Sequence, residues 1–136
     1  MEEPSPKTAP TFHQLQEIVA TLRGEKGCPW DIRQTPETLI RYLLEECEEL
    51  VEALHHKDHD AICEETGDVL FLLAFLISIF TDRRQFTADD VFSGIIEKMI
   101  RRHPHVFGDQ QVVDEQALRE QWQRIKSQEK RSTGTR

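Results

Sequence analysis

The chain has 136 residues, a length that fits one domain. Its 25 acidic residues outnumber its 17 basic residues, which gives a formal net charge of -8. This acidic balance argues against a protein that coats a nucleic acid polymer, because that role needs a basic face, and it suits a site that holds cations.

The two ends of the chain differ in composition from the middle. Residues 1–10 are polar and contain three prolines, which predicts a disordered N-terminal arm without the apolar core of a signal peptide. We expect residues 11–128 to form a single domain and residues 129–136 to form a flexible C-terminal tail.

Between these ends, apolar residues recur at helical spacing, and no segment alternates with the period of two that a strand requires. The first predicted helix covers Thr11–Arg23, and two glycines end it. A loop that includes Gly27–Asp31 follows. Thr35 then acts as an N-cap, with proline in the first turn of a second helix that reaches about His56.

The third predicted helix starts near Asp58 or Asp60 and contains the longest apolar run, from Val69 to Phe80. This run is shorter than the ~20 residues that span a bilayer, so we expect no contact with a membrane. It is apolar around most of the helix, and a domain of this size offers few neighbours to cover it. We therefore expect the core to be completed by dimerisation.

Two more helices complete the prediction. Thr87 and Asp90 resemble a capping box at the start of the fourth helix, which ends near Arg102, just before a proline. Asp114 caps the last helix, which reaches about Gln128. The predicted fold class is therefore all-α, a bundle of about five helices.

The cysteines favour no metal or disulfide framework. The chain has three scattered cysteines and no C-x-x-C pair: Cys28, Cys47 and Cys63. Reduced thiols in a cytoplasmic protein are the simplest interpretation, and we predict that localisation.

Two acidic pairs carry the strongest chemical signal. Glu46 and Glu49 are three residues apart on the second helix, and Glu65 and Asp68 are three apart on the third. At about 100° per residue, the first member of each pair lies within the apolar stripe of its helix and the second at the stripe's edge. Carboxylates that face a core are costly unless cations neutralise them. An oxygen-only set suits Mg²⁺ or Mn²⁺, whereas the alternative is a solvated acidic face.

A basic cluster and two tryptophans are weaker signals. Lys98, Arg101 and Arg102 end the fourth helix, where cations stabilise the helix dipole but could equally hold phosphate oxygens. Beside a four-carboxylate metal site, the phosphate-binding interpretation gains weight. Trp30 and Trp122 are candidates for stacking on a nucleotide base, although tryptophan side chains more often pack in the hydrophobic core.

Together these residues resemble the MazG family. The similarity covers roughly residues 12–128 and rests on an ordered set of motifs: Cys28-Pro29-Trp30-Asp31 with Gln34-Thr35, Tyr42-Leu43-Leu44-Glu45-Glu46-x-x-Glu49, Glu65-x-Gly67-Asp68, Arg101-Arg102-His103-Pro104-His105-Val106-Phe107, and Trp122 before Ile125-Lys126.

The resemblance implies an all-α nucleoside triphosphate pyrophosphohydrolase, which cleaves a triphosphate to a monophosphate and pyrophosphate. It implies Mg²⁺ ligands at four positions, with Mn²⁺ as a substitute: Glu46, Glu49, Glu65 and Asp68. It also implies nucleotide contacts near Tyr42, the stretch from Lys98 to Arg102, and Trp122. Members of this family assemble as tight dimers, so we expect a homodimer or a tetramer.

The expected mechanism is metal-assisted hydrolysis at the α-phosphorus. Glu45, next to the predicted ligands, is the candidate for orienting or deprotonating the attacking water. Lys98, Arg101 and Arg102 would hold the outer phosphates while pyrophosphate leaves.

Two alternatives differ in class. A di-iron carboxylate bundle is disfavoured because no histidine lies three residues after a core-facing acid. A non-catalytic helical dimer that binds a nucleotide or a partner remains open, as do the preferred nucleotide and the choice between dimer and tetramer.

Overall fold

The structure, a computed structural model, describes residues 9–133 and contains seven helices and no strand within them. The all-α prediction is confirmed. Most of the predicted N-terminal arm lies outside the described residues, as do residues 134–136 of the predicted tail. The helices are α1 (Phe12–Leu22), α2 (Pro29–Arg33), α3 (Pro36–His56), α4 (His59–Asp82), α5 (Ala88–Arg102), α6 (Pro104–Phe107) and α7 (Glu115–Thr133).

The predicted caps begin the long helices. The hydroxyl of Thr35 accepts a hydrogen bond from the Thr38 amide at 3.3 Å, and the Thr38 hydroxyl accepts one from the Thr35 amide at 2.9 Å. Asp58 caps α4, and the Asp114 carboxylate accepts a 2.8 Å bond from the amide of Ala117 in α7. These bonds satisfy amides that the helix itself leaves unpaired, which explains why the starts could be predicted.

Two short helices and the end of the last helix differ from the prediction, whereas α5 ends at Arg102 as predicted. The expected loop around Gly27–Asp31 contains α2, and the stop after Arg102 is followed by α6. Each short helix has proline in its first turn, where its fixed φ favours helix formation. The last helix continues past Gln128 to Thr133, so residues 129–133 of the predicted tail are helical.

The described residues up to Thr87 and those from Ala88 onward form two compact units. In the first unit, α3 and α4 pack along each other, and α1 packs on α4. The reversal between α3 and α4 occurs at Lys57, which adopts a left-handed φ of 55°. The buried core consists of Val19, Leu39, Leu72, Ala74, Phe75 and Ile79.

In the second unit, α5 contacts both α6 and α7. The prediction of one domain over residues 11–128 stays a prediction. Within residues 9–133, no helix combines the length and apolar character needed to cross a bilayer.

Candidate functional site

Two acidic pairs meet across the α3–α4 hairpin. Glu46 and Glu49 on α3 and Glu65 and Asp68 on α4 each offer one oxygen, and these four oxygens lie within 4.8 Å of one another. The spacing of three residues puts each pair on one helix face, and the packing of α3 along α4 brings the two faces together. The sequence pattern indicated the pairs, and the hairpin makes them one group.

The carboxylate cluster, as we call these four residues, combines burial with like charge. Glu46 and Glu65 are half-buried, whereas Glu49 and Asp68 are exposed. Desolvation by burial raises the pKa of Glu46, and the charges of Glu49 and Asp68 raise it further. Burial, with a hydrogen bond and a charge from Glu49, raises the pKa of Glu65 to about 7.

The cluster also contains unsatisfied acceptors. Among the described residues, the buried Oε2 atoms of Glu46 and Glu65 accept no hydrogen bond. A buried oxygen without a partner is costly, and two of them beside further carboxylates are more costly still. A divalent cation would give these oxygens a partner and neutralise the repulsion. An all-oxygen donor set fits a hard ion such as Mg²⁺, so the residues present suit the predicted metal.

Glu45 lies outside the carboxylate cluster. Its Oε1 accepts a 3.1 Å hydrogen bond from Nε of Arg41, one turn earlier on α3, and half of its side-chain surface is exposed. The structure therefore brings four of the five predicted catalytic carboxylates together and places Glu45 in a surface ion pair.

Two predicted nucleotide-binding residues meet in the first unit. Trp30 on α2 and Tyr42 on α3 lie edge to face, with ring centroids 5.3 Å apart. Trp30 is 39% exposed, and it lies in α2 where a loop was predicted. The short helix α2 holds this ring against Tyr42, and the pair offers an aromatic surface.

In the second unit, Arg101 and Arg102 converge on the carboxylate of Glu129, which was not among the predicted site residues. Nε of Arg101 donates to Oε1 of Glu129 at 2.8 Å, and Nη2 of Arg102 donates to Oε2 at 2.9 Å. These hydrogen bonds lower the pKa of Glu129 to about 2. Glu129 was predicted to belong to the flexible tail. It lies two helical turns after Trp122, and that spacing could have indicated that the two residues share a face of α7.

Trp122 and Lys98 occupy different environments. The Arg102 guanidinium lies 5.1 Å from the Trp122 ring, and the His103 ring meets Trp122 at 5.3 Å in an edge-to-face arrangement. The half-buried Trp122 is thus packed against a cation and an imidazole. Lys98 is half-buried and forms no ion pair with any residue from 9 to 133.

Both a protein family and a solved structure match this chain. The family described as the MazG nucleotide pyrophosphohydrolase domain matches residues 34–107, more than half of the chain. A solved structure, a mazG-related protein from Thermotoga maritima, matches with a TM-score of 0.70 at 26% identity and covers 85% of this chain and 98% of that one.

Curated relatives are longer proteins. The nucleoside triphosphate pyrophosphohydrolase/pyrophosphatase MazG of Thermotoga maritima is 47% identical over 119 residues, which cover 88% of this chain and 45% of the relative. The nucleoside triphosphate pyrophosphohydrolase of Escherichia coli K12 is 36% identical, with 86% and 45% covered. The uncharacterized protein YabN of Bacillus subtilis is 47% identical, with 90% and 25% covered.

The chain therefore spans less than half the length of these relatives. Its family match runs through both acidic pairs and the basic end of α5, which are among the motifs on which the resemblance rested. This chain belongs to the MazG nucleotide pyrophosphohydrolase family.

Proposed function

We propose that the chain hydrolyses nucleoside triphosphates to a nucleoside monophosphate and pyrophosphate, with Mg²⁺ as the cofactor and Mn²⁺ as a substitute. The observation that carries this proposal is the carboxylate cluster, with its two buried oxygens that lack a partner. Family membership supports it, as do the names of the Thermotoga maritima and Escherichia coli relatives.

The proposed metal ligands are the four members of the cluster: Glu46, Glu49, Glu65 and Asp68. A bound divalent cation would supply positive charge that neutralises phosphate oxygens and the charge that develops on the leaving group. The half-buried Glu46 and Glu65 would hold the ion on the core side, and the exposed Glu49 and Asp68 would hold it on the side open to substrate.

For the attacking water, we propose Glu45 as the residue that orients or deprotonates it. This role requires Glu45 to leave its ion pair with Arg41. The ion pair is exposed to solvent and is therefore weak. Glu45→Gln should lower kcat while leaving cation affinity near the wild-type value, because Glu45 lies outside the cluster. Equal kcat values for the two proteins would remove Glu45 from the mechanism.

For nucleotide recognition, we propose two groups of residues. Lys98, Arg101 and Arg102 of the second unit bind phosphate oxygens, since ammonium and guanidinium groups form strong charge-assisted hydrogen bonds to phosphate. Aromatic residues contact the base or sugar: Trp30 and Tyr42 in the first unit and Trp122 in the second.

We further propose that the protein is an oligomer of identical chains. Ile40, Leu44 and Val51 form an apolar stripe along α3, with 59%, 62% and 51% of their surfaces exposed. On α4, Leu70 and Leu73 are also exposed, at 43% and 39%. Monomers seldom expose so many large apolar side chains on adjacent helices, and a second copy of the hairpin would cover them.

The activity is tested with a panel of ribo- and deoxynucleoside triphosphates, normal and damaged, with pyrophosphate release measured in Mg²⁺ and in excess chelator. We expect release in Mg²⁺, none in chelator, and recovery when Mg²⁺ or Mn²⁺ is restored. Hydrolysis in ¹⁸O-labelled water should place the label in the monophosphate, as attack at the α-phosphorus requires. Label in pyrophosphate, or full turnover in chelator, would contradict the proposal.

A further inference from the structure

We propose that Glu129 is a positioning residue, which fixes the guanidinium of Arg102 in the orientation that binds the triphosphate. This inference rests on the proposed function, because it assumes that Arg102 binds phosphate. The Glu129 side chain is buried to the same degree as its partner, with 19% of its surface exposed against 16% for Arg102.

The contact uses one edge of the guanidinium. Nη2 of Arg102 donates to Oε2 of Glu129 at 2.9 Å, and Nε donates to both carboxylate oxygens at 3.3 Å. Nη1 makes no hydrogen bond within the described residues. A guanidinium carries five N–H donors in a rigid fork, so the edge formed by Nη1 and Nη2 remains able to hold a second anion.

A second contact fixes the plane of the same group. The guanidinium carbon lies 5.1 Å from the centroid of the Trp122 ring, a cation–π contact. Glu129 and Trp122 are on the same helix, seven residues apart, whereas Arg102 belongs to α5. A carboxylate at one edge and an aromatic ring against the plane together leave the arginine few orientations, so less entropy is lost when phosphate binds.

Glu129 could instead compete with phosphate for the Arg102 guanidinium. Loss of the Glu129 charge would then strengthen phosphate binding, whereas loss of a positioning residue would weaken it. Arg101 argues for positioning, because its Nε donates to Glu129 at 2.8 Å, so that Glu129 keeps a second cationic partner whether or not Arg102 holds phosphate. Glu129 therefore does not need to leave when the substrate arrives.

The test compares Glu129→Gln and Glu129→Asp with wild type, with Glu120→Gln as the control for removal of one charge from α7. Glu120 is exposed, and among residues 9–133 its side chain accepts a hydrogen bond only from Gln116, one turn earlier. Steady-state kinetics give KM and kcat for a nucleoside triphosphate, and calorimetry gives the Kd of inorganic tripolyphosphate in Mg²⁺. If Glu129 positions Arg102, E129Q should raise both KM and the Kd of tripolyphosphate by on the order of 10-fold, with a much smaller change in kcat. Loss of a residue that orients a metal ligand has an effect of this size on metal affinity.

E129D, which keeps the charge on a shorter stem, should recover part of the affinity, and E120Q should behave as wild type. Tighter or unchanged tripolyphosphate binding by E129Q would overturn the inference. Arg102→Ala separates the two claims. If it weakens binding while E129Q does not, only the role of Glu129 is wrong; if Arg102→Ala binds as wild type, the phosphate-binding role of Arg102 is wrong as well.

Discussion

Glu49→Gln removes one negative charge from the carboxylate cluster while keeping the side chain's shape. Glu49 is exposed, so its attraction to a cation is best judged with the dielectric constant of water. The four oxygens lie within 4.8 Å of one another. With that distance as the outer limit, a divalent charge attracts the carboxylate by roughly 1.7 kcal/mol. We therefore expect E49Q to weaken cation binding by at least about 20-fold.

Thermal unfolding measures this loss. If the cluster binds Mg²⁺, the ion at 100 times the wild-type Kd should stabilise the native protein by about 2.7 kcal/mol, whereas a variant that binds it 20-fold more weakly should gain only about 1.1 kcal/mol. At about 4 °C per kcal/mol for a chain of this length, the midpoint should rise by about 11 °C for wild type and about 4 °C for E49Q. Circular dichroism with and without Mg²⁺ gives both values.

Glu64→Gln is the matched control. Glu64 is an exposed acid on α4, next to Glu65 in sequence but outside the cluster, so its loss changes the net charge equally. E64Q should gain from Mg²⁺ as much as wild type does. If E49Q gains as much from Mg²⁺ as wild type and still hydrolyses nucleotide, the assignment of the metal site is wrong.

Four further outcomes are expected. In metal-free protein, the pKa of Glu65 is about 7 against an ordinary 4.5, so the native state retains a proton that the unfolded state loses. This effect should lower stability as pH rises from 4.5 to 7, and Glu65→Gln should flatten the dependence of the midpoint on pH. For Glu129 the pH dependence has the opposite sign. Its pKa of about 2 contributes stability that is fully present above pH 4.5 and disappears as the pH falls toward 2. An acid titration in which E129Q unfolds like wild type would contradict this. Phe75→Ala should cost about 3–5 kcal/mol, measured by urea unfolding with an unchanged slope, because Phe75 is only 1% exposed. Leu44→Glu should dissociate the oligomer in sedimentation experiments, and a wild-type monomer at micromolar concentration would refute the proposed assembly.

The predictable parts of this fold have local causes. Thr35 and Asp58 cap α3 and α4 through hydrogen bonds to residues two or three positions away, and both appear in the sequence as helix starts. The pairing of Glu46 with Glu49, and of Glu65 with Asp68, likewise follows from the three-residue spacing on a helix. The α3–α4 hairpin then brings the two pairs together, because a short turn leads to antiparallel neighbours.

The parts that were missed depend on short or distant features. The helices α2 and α6 have 5 and 4 residues, too few to show hydrophobic periodicity. Glu129 meets Arg101 and Arg102 from 28 and 27 residues away, a contact that no local pattern indicates. The pairing of Glu45 with Arg41 is different, since its spacing of four residues was visible in the sequence and argues for a surface ion pair.

To test whether the carboxylate cluster is the catalytic metal site of a triphosphate pyrophosphohydrolase, the decisive experiment separates the reaction products of wild type and Asp68→Asn in Mg²⁺. We expect monophosphate and pyrophosphate in equal amounts from wild type and no turnover from D68N, with D68N folded and at least as stable as wild type without metal. A diphosphate with inorganic phosphate, or undiminished turnover by D68N, would contradict this assignment.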